Sequence, residues 1–326
     1  MFSAFIQRAI IQGIPLLFGS LGEMITEKSG QLNLGIPGIM YVGAISGVMG
    51  SFFYEQAVGP GNLHPVLGIL IPLVCCLLAS MLMGFFYGFL TIDLHANQNV
   101  TGLALTTFGI GLGNFFGGSL INLAKSDMPS IALTASSNLF KSPLPLAQLP
   151  GILGKIFSMS FLTYVAFFLA ILCSWFFRKT KKGLHFLAVG EDPATADAAG
   201  INVKAYKYAA SVIGAMVAGL GGLYYIMDYA SGVWSNNGFG DRGWLSIALV
   251  IFCIWRPSWS IFGSIIFGGL FIVHNYIPNV SMSGQELMKI LPYLVTIIVL
   301  VVISMRKSPA TQPPKALGKN YFREDR

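Results

Sequence analysis

Charge is what this sequence has least of. Of its 326 residues only 20 are Lys or Arg and 13 are Asp or Glu, 10% in all, less than half of the ~25% that a soluble domain carries. So few charges cannot solvate a globular surface, and 54% hydrophobic residues exclude disorder equally. Cysteine is scarce as well. Cys75, Cys76, Cys173 and Cys253 all lie in apolar runs, which excludes a disulfide-stapled scaffold and leaves packed thiols. The common catalytic signatures are missing too. There is no Gly-x-x-x-x-Gly-Lys-Ser/Thr, so the chain has no phosphate loop of its own. It lacks Gly-x-Ser-x-Gly and His-Glu-x-x-His. His64, His95, His185 and His274 stand apart from one another, and metal ligation needs grouped donors.

Long apolar runs take the place of all this. A spanning helix needs about 20 apolar residues to cross a hydrocarbon core of roughly 30 Å. The runs 66–90, 100–121, 156–177, 206–227 and 290–304 meet that need, and 9–25 and 36–54 do so with interruptions. Residues 244–276 read as two shorter pieces that meet at Arg256-Pro257, because proline breaks the helix there. The expected fold is an all-α, polytopic membrane helix bundle of eight to ten segments, some of them discontinuous. The N-terminal run reads as a retained first segment, since Glu23, Glu27 and Lys28 follow it where a cleavage site would need small residues.

The charges sort the chain further. Residues 178–207 hold nine and 305–326 hold eight. Both stretches are rich in Lys and Arg, which places them in the cytoplasm and accounts for the net charge of +7. Two parts follow: a membrane domain over 1–305, with a proline-containing external loop at about 123–155 and a cytoplasmic loop at about 178–206, and a basic tail over 306–326. Counting back from that loop puts the N-terminus outside unless an early segment fails to cross. Gly109, Gly113 and Gly117, then Gly214, Ala218 and Gly222, and the pair Gly84 and Gly88 repeat every four residues. Small residues at that spacing let helices approach closely.

Three stretches stand out for chemistry. In the first, over 23–40, Gly30, Gly35, Pro37 and Gly38 interrupt an otherwise apolar segment. Broken backbone at membrane depth is tolerated where it is buried in protein or lines a cavity, and Asn33 adds an amide there. An ordinary loop is the competing reading. In the second, Asp192 suits an N-cap, Pro193 the first helical position and Gly200 the stop, with a two-turn helix of small residues between them. That helix offers a surface to another protein, or else packs on its own bundle. In the third, Gly238–Pro257, glycines and Asp241-Arg242 open a short apolar helix. Glu23, Asp93, Asp228, Asp241 and Arg242 can each be placed near a segment end as interfacial charges, so no ion-coupling relay stands out.

In this order the stretches resemble the permease subunits of ATP-binding-cassette importers, in the branch that holds ribose, branched-chain amino acid and nucleoside permeases. The nucleoside (guanosine-type) pattern is matched by Gly22, Glu23, Glu27, Lys28, Gly30, Asn33, Leu34, Gly35, Gly38 and Met40. Further matches are 96–105 (ANQNVTGLAL), 190–203 (GEDPATADAAGINV) and 240–250 (GDRGWLSIALV), with Phe267-Gly268 downstream. Together they cover nearly the whole membrane domain. The family commonly has Glu where this chain has Pro37; Asn99 and Trp255-Arg256 also depart from its commonest residues.

The resemblance implies a translocation subunit that works by alternating access and is not itself an enzyme. It implies no cofactor on this chain, with ATP and Mg on a separate ATPase subunit. It also implies a second homologous permease, an extracytoplasmic substrate-binding lipoprotein, and a place in the bacterial plasma (inner) membrane with a cytoplasmic C-terminus. Glu191, Asp192, Pro193, Ala194, Ala196, Ala198 and Gly200 would couple to the ATPase. Asn33, Gly35 and Gly38, with Asn97 and Gln98, are the pathway candidates. A nucleoside or related solute is the expected cargo, a ribose-like sugar or riboflavin the alternative. An ion-coupled secondary transporter using Glu23 or Asp228 is the rival from another class, and a membrane-embedded enzyme is the poorest choice.

Overall fold

The computed structural model describes residues 2–124, 129–142, 158–277, 281–306 and 312–322. Most of the external loop and part of the tail therefore lie outside the described residues. Helices dominate: α1 Phe2–Glu27, α2 Ile36–Val58, α3 Pro65–Gly88, α4 Gln98–Leu123, α5 Thr134–Phe140, α6 Phe161–Lys179, α7 Lys181–Glu191, α8 Pro193–Ala198, α9 Val203–Tyr224, α10 Arg242–Phe252, α11 Pro257–Ile272, α12 Met282–Met288 and α13 Leu291–Arg306. Wider helical turns extend α3 through Asp93 and α9 through Tyr229. Among the described residues eight helices are long and apolar enough to span a membrane, within the expected range. Two short strands, β1 Ser130–Ala132 and β2 Val233–Ser235, pair antiparallel with Ile131 opposite Trp234.

The bundle has an inner and an outer layer. Helices α1, α2 and α9 are mostly enclosed, whereas α3, α4, α6 and α13 turn large apolar faces outward. Leu78, Leu82 and Phe85 on α3 and Phe168, Ile171 and Trp175 on α6 are exposed, as a lipid-facing surface requires.

Small residues set the inner contacts. Gly109 sits against the backbone of Gly38, Gly113 against the Tyr41 ring, and Gly117 against Trp234. Gly214 and Ala218 pack on Gly22, Gly222 on Met40, and Gly84 on the Ser211 carbonyl. The four-residue stripes are thus contacts within one chain, where a methyl group would collide with a neighbouring backbone or ring.

Chain direction follows from the ends of α1. Near Glu27, the Ala316 N–H donates to the Gly190 carbonyl and the Gly318 N–H to the Gly30 carbonyl. This end lies with the 178–207 loop and the tail, on the basic face. At the other end, Phe5 stacks edge-on against Tyr276 and Arg8 lies 6.0 Å from the same ring. The N-terminal end of α1 is therefore on the far face, as the count from the external loop requires. Helix α1 also runs past the expected 9–25 to Glu27, because Glu23 and Glu27 find partners inside the bundle.

Candidate functional site

On the basic face, α8 is held at both ends by its own sequence. The Asp192 carboxylate accepts from the Ala194 N–H at 3.1 Å, the Thr195 N–H at 3.2 Å and the Thr195 hydroxyl at 2.5 Å. The Thr195 hydroxyl leads in holding the Asp192 carboxyl below the usual carboxylate range, so the cap stays charged at neutral pH. At the other end the Ile201 N–H reaches the Ala196 carbonyl at 3.0 Å and the Gly200 N–H the Asp197 carbonyl at 2.9 Å. This C-terminal motif needs Gly200 at φ +82°, where a Cβ would cost ~1–2 kcal/mol. Ala196 is buried with Val189 and Val203. Glu191, Asp192, Ala194, Ala198 and Gly200 are exposed and Pro193 is half-buried, so the helix shows a small, charge-flanked surface.

The tail ties this helix to the bundle. The Tyr321 hydroxyl meets the Asp197 carboxylate at 2.7 Å. Asn320 donates to the His95 carbonyl at 2.6 Å and accepts from the Gln98 amide at 3.2 Å, while Phe322 lies 4.4 Å from the His95 ring. A cavity of ≈ 750 Å³ opens beside them, lined by Asp93, His95, Asp197, Lys204, Tyr321 and others. Charge runs alone mark this tail as a solvated extension; Asn320-Tyr321-Phe322 were the signal that it binds.

The 28–35 segment runs inward from the basic face as two turns joined by the non-helical residues 31–33. The Leu32 N–H donates to Gln98 Oε1 at 2.7 Å and the Tyr87 hydroxyl to the Leu32 carbonyl at 2.6 Å. The Asn33 N–H donates to Glu23 at 3.1 Å, the Gly35 N–H to Asn33 Oδ1 at 2.9 Å, and the Thr106 hydroxyl to the Leu34 carbonyl at 2.7 Å. Thr106 is eight residues into α4, ~12 Å from its start, so α2 begins well inside the membrane. There it meets the start of α10: a Cβ on Gly243 would lie 2.6 Å from Pro37 Cβ. The two interrupted stretches read from the sequence therefore converge, at the position that departs from the resembled family.

The predicted pathway residues are mostly enclosed here. Asn33, Gly35, Gly38 and Gln98 are buried; Asn97 is exposed and caps α4 through Val100. Several charges differ from the expected interfacial placement. Glu23 is fully buried and Glu27 nearly so, the latter accepting a bond from the Trp255 indole. Asp228 is buried above a far-face cavity of ≈ 670 Å³. Arg242 is buried among the Tyr225, Phe271 and Tyr229 rings, at 4.5, 5.1 and 5.2 Å, and donates to the Phe239 carbonyl. Hydropathy misses this burial because a single charge barely lowers a window average. Asp93 and Asp241 do lie at segment ends, Asp93 paired with Lys204 and Tyr208.

Comparison with known proteins gives the same answer along the whole chain. A Haloferax volcanii protein provisionally named a glucose ABC transporter permease, TsgC13, is 33% identical, with 99% of each chain covered. The nucleoside ABC transporter permease NupC of Lactococcus lactis is 33% identical over 96% of this chain and 95% of its own. The guanosine ABC transporter permease NupQ of Bacillus subtilis is 28% identical over 99% and 98%. A solved inward-facing ABC transporter, provisionally of metal-chelate type, superposes with a TM-score of 0.48 at 14% identity, over 93% of this chain and 85% of its own. The family model for the branched-chain amino acid transport system permease component matches residues 5–300, and the chain belongs to that family.

Proposed function

We propose that this permease forms the membrane pathway of an ATP-driven importer for nucleosides or related ribosyl and ribityl solutes. The observation that carries it is α8, exposed on the basic face, capped at both ends and tied inward by the tail. A helix of six residues is too short to be stable alone in water, and a groove on an ATPase subunit would receive it. ATP and Mg belong to that subunit, whose closure would push on 191–200 and favour one of two pathway states. The basic face is then cytoplasmic, with the C-terminus, in a bacterial plasma membrane. A homologous second permease completes the pathway and an extracytoplasmic lipoprotein delivers the solute. Asn97 and Gln98 stand at the cytoplasmic end of the path, and Asn33, Gly35 and Gly38 deeper along it.

Nucleosides are preferred because two of the relatives above carry nucleoside or guanosine in their names. A sugar remains the second reading, on the name of the Haloferax relative. Co-purification of tagged chain from native membranes tests the partner. Wild type should bring down an ATPase and a second permease, and an Ala194→Arg, Ala198→Arg variant should lose the ATPase. Uptake of labelled uridine, adenosine and guanosine beside ribose, glucose and riboflavin tests the cargo. If the chain purifies alone and still transports, an ion-coupled carrier using Glu23 or Asp228 replaces this reading.

A further inference from the structure

Between Ala230 and Arg242 the chain leaves helical form and enters the membrane from the far face. Its rings anchor it. Trp234 is buried against Gly117 and lies 5.4 Å from the Tyr41 ring, while Phe239 lies 6.1 Å from Tyr41 and 4.8 Å from Tyr225. The Tyr225 hydroxyl donates to the Gly238 carbonyl at 2.6 Å. Between these anchors Ser235, Asn236, Asn237, Gly238, Gly240 and Asp241 are exposed. Asn237, at φ +58°, accepts from the Asn114 amide at 2.9 Å, and Asn114 accepts from the Tyr41 hydroxyl at 3.1 Å.

Depth makes this exposure informative. Asn114 is 16 residues from the start of α4 and nine from its end, ~24 Å and ~14 Å along the axis. It therefore lies inside a hydrocarbon core of ~30 Å. Exposed amides and a carboxylate at such depth are tolerated against water or protein, not against acyl chains. Phe108 and Phe115 lie on the outward apolar face of α4, about a third of a turn from Asn114.

We propose that Ser235–Asp241, backed by Asn114, is a solute-contacting site within the membrane. It takes a solute that joins a planar heterocycle to a polyhydroxylated ribosyl or ribityl unit. The amides of 236 and 237 meet the hydroxyls. This deepens the importer reading and rests on it for the identity of the solute. Residues 235–241 then screen solutes after their release from the binding protein.

The first arm of the test needs no known solute. With the four native cysteines replaced by alanine, Ser235→Cys and Asn236→Cys should react with a membrane-impermeant maleimide in the full complex, in either the nucleotide-free or the vanadate-trapped state. Leu82→Cys, on the lipid-facing side of α3, should not. The second arm measures the ratio of guanosine to 2′-deoxyguanosine uptake at saturating binding protein. Asn236→Ala should lower it about fivefold, as loss of one neutral hydrogen bond of ~1 kcal/mol implies, at wild-type membrane level. Ser235→Ala serves as second variant if Asn236→Ala does not assemble. Unreactive cysteines in both states would overturn the site, and so would reactive cysteines with an unchanged uptake ratio. If wild type moves no nucleoside, the cargo reading fails separately, and the ratio is measured with the solutes it does move.

Discussion

Lys28 stands just past α1, its ammonium 5.6 Å from the Phe177 ring. Burial pushes it down from 10.5 to about 8, against the opposing pull of Glu191 and Glu27. The folded value lies below the unfolded one, so folding opposes protonation. Stability is highest above the unfolded pKa, falls as pH drops from 10.5 towards 8, and carries the full penalty below that. Lys28→Met removes this penalty. Its melting temperature relative to wild type should therefore be higher at about pH 7 than at about pH 10; an equal difference at both would show that Lys28 is already solvated. Glu23 illustrates the same scale from the other side. Its surroundings in the sequence look interfacial, yet the helix carries it to full burial beside Asn33.

Among the elements, α8 was legible almost entirely from its own letters. Asp192, Pro193 and Gly200 act within a few residues of themselves, so the cap and the stop need no distant partner. The broken segments were legible as interruptions but not as neighbours. The tail was legible as a binding element only through Asn320-Tyr321-Phe322, and its partners not at all, since its contacts lie with Gly30, His95, Gln98, Gly190 and Asp197. Those contacts give it a testable role. Truncation before Gln312 should leave α8 able to capture the ATPase through Ala194 and Ala198. Solute imported per ATP hydrolysed should fall, because the tie between α8 and the 30–35 segment is cut. Tyr321→Phe should reproduce part of the fall; a wild-type ratio in both variants would make the tail a passive cover.

For the molecule as a whole, the start of α1 and the tail residues 312–322 lie on opposite faces. In sealed right-side-out vesicles an N-terminal epitope should be reached by antibody without permeabilisation and a C-terminal one only after it. Equal access would contradict the topology. What the sequence by itself determined was the membrane class, the segments, the basic face and the capped helix, because composition and short spacing decide each of them. The meeting of Pro37 with Gly243, the burial of Glu23, Asp228 and Arg242, and the bond between Asn114 and Asn237, 123 residues apart, were decided only by tertiary structure. They depend on which helix faces approach, and that is set by small residues packing across the bundle, a long-range choice that no local pattern encodes.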